Sequence, residues 1–172
     1  VTFIRDLIRG ISSNVAIDKK KIYAAGYSFG AYMSIRLACE LSTDIAAIGV
    51  VGGLNSPTMS SSTRAVPVIA FHGTADYADK SAEEILSRWV EYNGCKRTPM
   101  TRKISEDVTQ ITYGTCKDNA EVIFFRINEG GHTWPGSPRA DIFEERPKLG
   151  KVNKDINATN LMWSFFESHP LP

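Results

Sequence analysis

The chain has 172 residues, 42% of them hydrophobic, with 20 basic against 19 acidic residues and a net charge of +1. With no like-charge block longer than Lys19-Lys20-Lys21, neither nucleic acid nor an anionic membrane surface is an indicated partner. The longest apolar runs, such as Ile45 to Val51, are far short of a spanning helix, so one soluble domain over residues 1–172 is expected, burying about 70% of its unfolded surface.

Phe3, Ile4, Leu7, Ile8 and Ile11 recur at helical spacing and predict an amphipathic helix packed on a sheet. No signal-peptide pattern precedes it, but the chain opens on Val1 inside this helical stretch, so an upstream segment is expected to be absent. After a polar turn at Asp18 to Lys20, Lys21 to Tyr27 has the composition of a first strand and Ala31 to Leu41 that of a largely apolar helix. Between them stands Gly26-Tyr27-Ser28-Phe29-Gly30. A strand running into G-x-S-x-G and straight on into a helix is the setting of a nucleophile elbow, in which a Cβ at either glycine is expected to collide with its neighbours.

A second strand is expected at Ala46 to Val51, ended by Gly52-Gly53, and the serine-rich stretch Asn55 to Arg64 is a loop. Val66 to Phe71 is a third strand, broken by His72-Gly73-Thr74-Ala75-Asp76, and Ser81 to Tyr92 a surface helix stopped by Asn93-Gly94. From Cys95 to Asn119 the pattern is weak and predicts short strands or an irregular excursion. Val122 to Ile127 is a fourth strand, Pro135 to Lys154 a long surface loop, and Asp155 or Asn157 caps a last helix carrying Leu161, Met162, Trp163, Phe165 and Phe166. Apolar strands alternating with helices imply an α/β fold, a mostly parallel sheet covered on both faces.

Three cysteines are too few for a disulfide scaffold, and their spacing matches no zinc site. Cys95 and Cys116 lie in polar, turn-like surroundings, whereas Cys39 falls on the apolar side of a helix. A Cys95–Cys116 bridge, worth about 3 kcal/mol in a chain-entropy account, and three reduced buried thiols are the two readings.

A serine hydroxyl attacks a carbonyl only if a histidine takes its proton and a carboxylate holds that histidine in the right tautomer. Ser28, Asp76 and His132 follow the first, third and fourth expected strands in the order serine, acid, histidine, and in a parallel sheet those strand ends share one edge. Asp79, three residues past Asp76, is the rival acid. His72 is expected in a structural turn and His169, beside Pro170, in solvent. The amide of Phe29 would face the developing oxyanion, and Trp134 either lines the pocket or anchors its loop. Tyr27 is a second candidate for the pocket wall. This chemistry needs no metal or organic cofactor.

The runs Gly26-Tyr27-Ser28-Phe29-Gly30, Arg36-Leu37-Ala38-Cys39-Glu40, Phe71-His72-Gly73-Thr74-Ala75-Asp76, Gly130-Gly131-His132-Thr133-Trp134-Pro135-Gly136 and Trp163-Ser164-Phe165-Phe166 together resemble the polyhydroxybutyrate depolymerase and feruloyl esterase family of α/β-hydrolases. The resemblance implies a Ser28, Asp76, His132 triad, hydrolysis of carboxylic esters, a Cys95–Cys116 bridge and a secreted protein. The implied substrate is an ester, polymeric in the case of plant polysaccharide or polyhydroxyalkanoate. It also implies several strands ahead of Val1, with a loop donating a second oxyanion amide, so the chain is expected to be the C-terminal part of an α/β-hydrolase domain that lacks its N-terminal strands. Family members often have a polar residue at Phe29 and glycine at Ala31. Two other functions stay open on the residues alone: a peptidase or thioesterase using the same triad, and a catalytically silent hydrolase-fold fragment.

Overall fold

The chain folds, in a computed structural model that describes residues 1–57, 64–78 and 82–172, as α1 (Thr2–Asn14), β1 (Ala24–Tyr27), α2 (Phe29–Glu40), β2 (Ile48–Val51), β3 (Val68–Gly73), α3 (Ala82–Tyr92), β4 (Met100–Lys103), β5 (Val108–Tyr113), β6 (Val122–Ile127), α4 (Ala140–Glu144) and α5 (Ala158–Glu167). One sheet has the order β1-β2-β3-β6-β5-β4. The pairings β1–β2, β2–β3 and β3–β6 are parallel and the remaining two antiparallel, so β5 alone runs against the others.

Alternation along the central strands feeds two cores, because successive side chains of a strand point to opposite faces. Ile48 and Val50, Val68 and Ala70, and Val122 and Phe124 pack with α2 and α3 on one face, through Ile35, Ala38, Leu86 and Trp89. Ala47 and Val51, Ile69 and Phe71, and Phe125 and Ile127 pack with Met162, Phe165 and Phe166 of α5 on the other. Phe71 and Phe125 stack at 4.8 Å between ring centroids. Such strands are apolar on both sides and so read as continuous apolar runs.

The weak stretch after Cys95 is a β-hairpin, β4 and β5, that extends the sheet through β6. Its tip strand is exposed at all four residues, so no alternation marks it. Within the expected surface loop Pro135 to Lys154 the chain forms α4 and a 3₁₀ turn at Pro147–Leu149. Asn157 is the cap of α5, its Oδ1 accepting from the Asn160 amide at 2.9 Å. The start of the helix expected from Ser81 and most of the serine-rich loop lie outside the described residues.

Two expectations are corrected. Helix α1 contacts the body through Ile4 and Ile8, but Phe3, Leu7, Ile11 and Val15 face solvent, Phe3 at 73% exposure. The helix has two apolar stripes and the body of the fold covers only one. His169 is buried: its Nδ1 lies 2.7 Å from the Phe165 carbonyl oxygen and its Nε2 3.1 Å from Glu121 Oε1, so it ties the end of α5 to the start of β6. Docking of the apolar face of α5 carries the following turn inward with it.

Cys95 and Cys116 form a disulfide, and Cys39 is buried within α2. Closing that loop stabilises the fold by about 3 kcal/mol in a chain-entropy account. No helix among the described residues is long and apolar enough to cross a membrane.

Candidate active site

The carboxyl ends of β1, β2, β3 and β6 lie along one edge of the sheet, where the turns that follow them converge. Ser28 follows β1 directly, with φ 55° and ψ −118°, an uncommon conformation for a residue with a side chain. Two things hold it there. Its amide donates to the Val51 carbonyl at 2.9 Å, and its own carbonyl oxygen accepts from Ala31 and Tyr32, opening α2. Ser28 stands at the N-cap of that helix, yet its hydroxyl makes no cap bond.

That hydroxyl lies instead 2.9 Å from His132 Nε2, while His132 Nδ1 lies 2.8 Å from Asp76 Oδ2. The acid and the imidazole are both buried. The second carboxylate oxygen of Asp76 accepts from the Ala78 amide at 2.8 Å, which fixes the plane of the carboxylate. The acid and histidine loops are cross-linked: the Ala75 amide donates to the Gly130 carbonyl at 3.0 Å, and the Glu129 amide to Thr74 Oγ1 at 2.9 Å. Gly131 N and Thr133 Oγ1 both donate to the Lys151 carbonyl, bracketing His132 from behind. An arrangement of this kind lets a proton leave the serine as its oxygen attacks, with the carboxylate stabilising the imidazolium that forms.

The structure thus brings together Ser28, Asp76 and His132; Asp79 lies outside the described residues. Phe29 begins α2 with its side chain 84% exposed, and its amide precedes the first intrahelical acceptor, as first-turn amides do. Tyr27 is half-buried, and its hydroxyl donates to the His132 carbonyl oxygen at 2.7 Å. Burial, then the negative charge of Asp76, then Tyr77 push the Tyr27 phenol up to about 12, against an opposing effect of Arg146. Trp134 is half-buried against the α5 core, and its indole N–H donates to Thr159 Oγ1 at 3.1 Å, which anchors the loop to α5. His72 is buried on β3, opposite Arg126 of β6, with its ring 6.4 Å from that of Phe124. Among the described residues, no group of three His, Cys, Asp or Glu side chains could hold a metal ion.

Two contributors escape sequence reasoning. Tyr77, 62% exposed, puts its ring centroid 5.2 Å from that of His132, on the outer side of the histidine. Gly52, at φ +57°, passes so close that a Cβ there would meet His132 Nδ1 at 3.0 Å and Asp76 Oδ2 at 3.4 Å. In the sequence Gly52-Gly53 marks only the end of a strand. Adjacency of Tyr77 to Asp76 is the one available signal for the tyrosine.

No family model matches the chain. It is 30% identical to feruloyl esterase B of Piromyces equi over 77% of its length, and 25% identical to feruloyl esterase D of Neurospora crassa over 77%. Among solved structures it resembles an acetyl xylan esterase from Aspergillus awamori, with a TM-score of 0.59, 17% identity and 74% of the chain covered. The chain spans 28% and 47% of those two feruloyl esterases and 61% of the acetyl xylan esterase chain.

Proposed function

We propose, for a chain homologous to the feruloyl esterases and built on the α/β-hydrolase fold, the hydrolysis of carboxylic esters through an acyl-enzyme on Ser28. The observation that carries this reading is the continuous path from Ser28 Oγ to His132 Nε2 and from His132 Nδ1 to Asp76. As Ser28 Oγ bonds to the carbonyl carbon, its proton passes to His132 Nε2. The Phe29 amide donates to the oxyanion at the positive end of α2. Collapse of the tetrahedral species breaks the ester C–O bond, and His132 returns the proton to the leaving alcohol. Water repeats the sequence on the acyl-enzyme and frees Ser28 and the acid.

The names of the relatives favour feruloyl or acetyl esters of plant polysaccharide, and the exposed ring of Tyr77 beside His132 suits a phenolic acyl group. Polyhydroxyalkanoate is the alternative polymer. The disulfide favours an oxidising, extracellular compartment, since such bonds rarely persist in the cytosol. The test is hydrolysis of p-nitrophenyl acetate and methyl ferulate beside a matched thioester and anilide, with fluorophosphonate labelling of Ser28. Ester turnover and labelling are expected. Faster thioester or anilide turnover would move the reading to a thioesterase or peptidase, and absence of both turnover and labelling to a silent fold.

A second reading concerns the extent of the domain, which we take to be the C-terminal portion of an α/β-hydrolase domain. It is favoured by β1, which pairs only with β2 among the described residues and offers an edge of Ala24, Ala25, Gly26 and Tyr27 without one charge to blunt it. Phe3, Leu7 and Ile11 of α1 are likewise left exposed. The 172 residues produced alone are expected to self-associate. A soluble monomer with one sharp thermal transition would sink this reading.

A further inference from the structure

We infer that Tyr27 is a positioning residue for His132, acting through its hydroxyl on the histidine's main chain; this rests on the reading of Ser28, His132 and Asp76 as a working triad. Consecutive residues of a strand point to opposite faces, but the turn at Ser28, with φ 55°, ends that alternation. As a result two neighbours in sequence grip one histidine from two sides. Ser28 Oγ meets the ring at Nε2 at 2.9 Å, and the Tyr27 hydroxyl donates to the carbonyl oxygen of the same residue at 2.7 Å. The Tyr27 ring lies 4.9 Å from the imidazole, tilted by 39°, and is itself met edge-on by Phe143 at 6.1 Å.

The contact is not an acid–base one. Both nitrogens of His132 are engaged, one by Ser28 and one by Asp76, and the phenol reaches only the amide oxygen. With its pKa pushed up to about 12, the phenol remains a donor at any pH at which an ester assay runs. Its effect is on where the imidazole sits. The Lys151 carbonyl ties the residues on either side, Gly131 and Thr133, so the loop keeps its course without Tyr27. What the hydroxyl adds is a restraint at His132 itself, drawn toward the strand that carries the nucleophile. Because a misplacement of about 1 Å in a reacting group costs on the order of 10²-fold in rate, loss of a restraint that permits a fraction of that shift is expected to cost roughly tenfold.

The experiment is Tyr27→Phe, which keeps the ring and its packing and removes the hydroxyl. The expected result is a fall in kcat of about tenfold with KM within twofold of wild type. The rate of fluorophosphonate labelling at Ser28 should fall in the same proportion, and the melting temperature should change little. Unchanged kcat, or a raised KM with unchanged kcat as a pocket wall would give, overturns the inference. So does a variant that fails to fold, or whose loss of activity follows a loss of stability, since the hydroxyl then serves the fold. A wild-type protein that is not labelled at Ser28 removes the triad reading and this inference with it; a labelled wild type matched by Tyr27→Phe removes this inference alone.

Discussion

Ser28→Ala is expected to lower kcat on esters by roughly 10⁴- to 10⁶-fold while leaving the unfolding midpoint nearly unchanged. The large loss follows from the proposed mechanism, in which Ser28 as nucleophile, His132 as base and Asp76 as orienting acid act as a unit. What survives is binding and the Phe29 amide, and those alone leave a residual of order 10³-fold over water. The small change in stability follows from the contacts of the hydroxyl, which bonds to His132 Nε2 and caps nothing. Alanine also meets the same backbone strain at φ 55° as serine does. Adding His132→Ala to Ser28→Ala should cost little more, because the second change removes a base with nothing left to deprotonate. Asp76→Asn gives a sharper test of the geometry. The asparagine oxygen could still accept from the Ala78 amide, but the side-chain nitrogen would donate to His132 Nδ1 and leave the proton on Nε2, facing Ser28. In that tautomer the ring cannot accept the serine proton, and a fall of about 10⁴-fold is expected. Steady-state turnover of p-nitrophenyl acetate by the three variants checks all of this. Ser28→Ala retaining a tenth of wild-type activity would end the serine-hydrolase reading.

Legibility of this fold in its sequence tracks how locally each feature is encoded. Strand β6 has the bounds that its apolar run suggests, because Val122, Phe124 and Phe125 are buried whichever face they meet. The β4–β5 hairpin is not legible: Met100 to Lys103 is exposed throughout, so no alternation marks it, and its existence as a strand depends on β5 being held in turn by β6. His169 looks solvated from its place near the chain end, whereas its burial depends on Glu121, far off in sequence. The apolar pattern of α1 reads correctly as helix and too generously as packing, since periodicity says which stripe is apolar and not whether anything covers it. In the site, the order of Ser28, Asp76 and His132 along the chain is visible. The closeness of Gly52 to His132 and the reach of Tyr27 to its carbonyl are not, because both are set by the register of β1 on β2 and by the return of the histidine loop.

The two glycines of the elbow motif, expected to be equally intolerant of a Cβ, should respond to alanine with opposite signs. A Cβ on Gly26 would stand 2.1 Å from the carbonyl carbon and oxygen of Gly30 and 2.6 Å from the amide of Ala31. These are backbone atoms of the first turn of α2, so no rotamer change relieves the overlap, and β1 and α2 must move apart. Gly26→Ala is therefore expected to cost about 3 kcal/mol or more in stability. Whatever folds should lose at least about 100-fold in kcat, since the same movement carries Ser28 Oγ away from His132. At Gly30 a Cβ meets nothing within 4 Å, and the residue is helical and exposed. The penalty that glycine imposes on a helix is then simply removed, and Gly30→Ala should gain up to about 1 kcal/mol with kcat within a few-fold. Denaturant unfolding of the two variants beside wild type, with turnover measured on the same preparations, reads both signs at once. If Gly26→Ala matched wild type in midpoint and in rate, β1 and α2 would not approach as closely as this turn requires. The strained serine would then owe its conformation to the Val51 carbonyl alone.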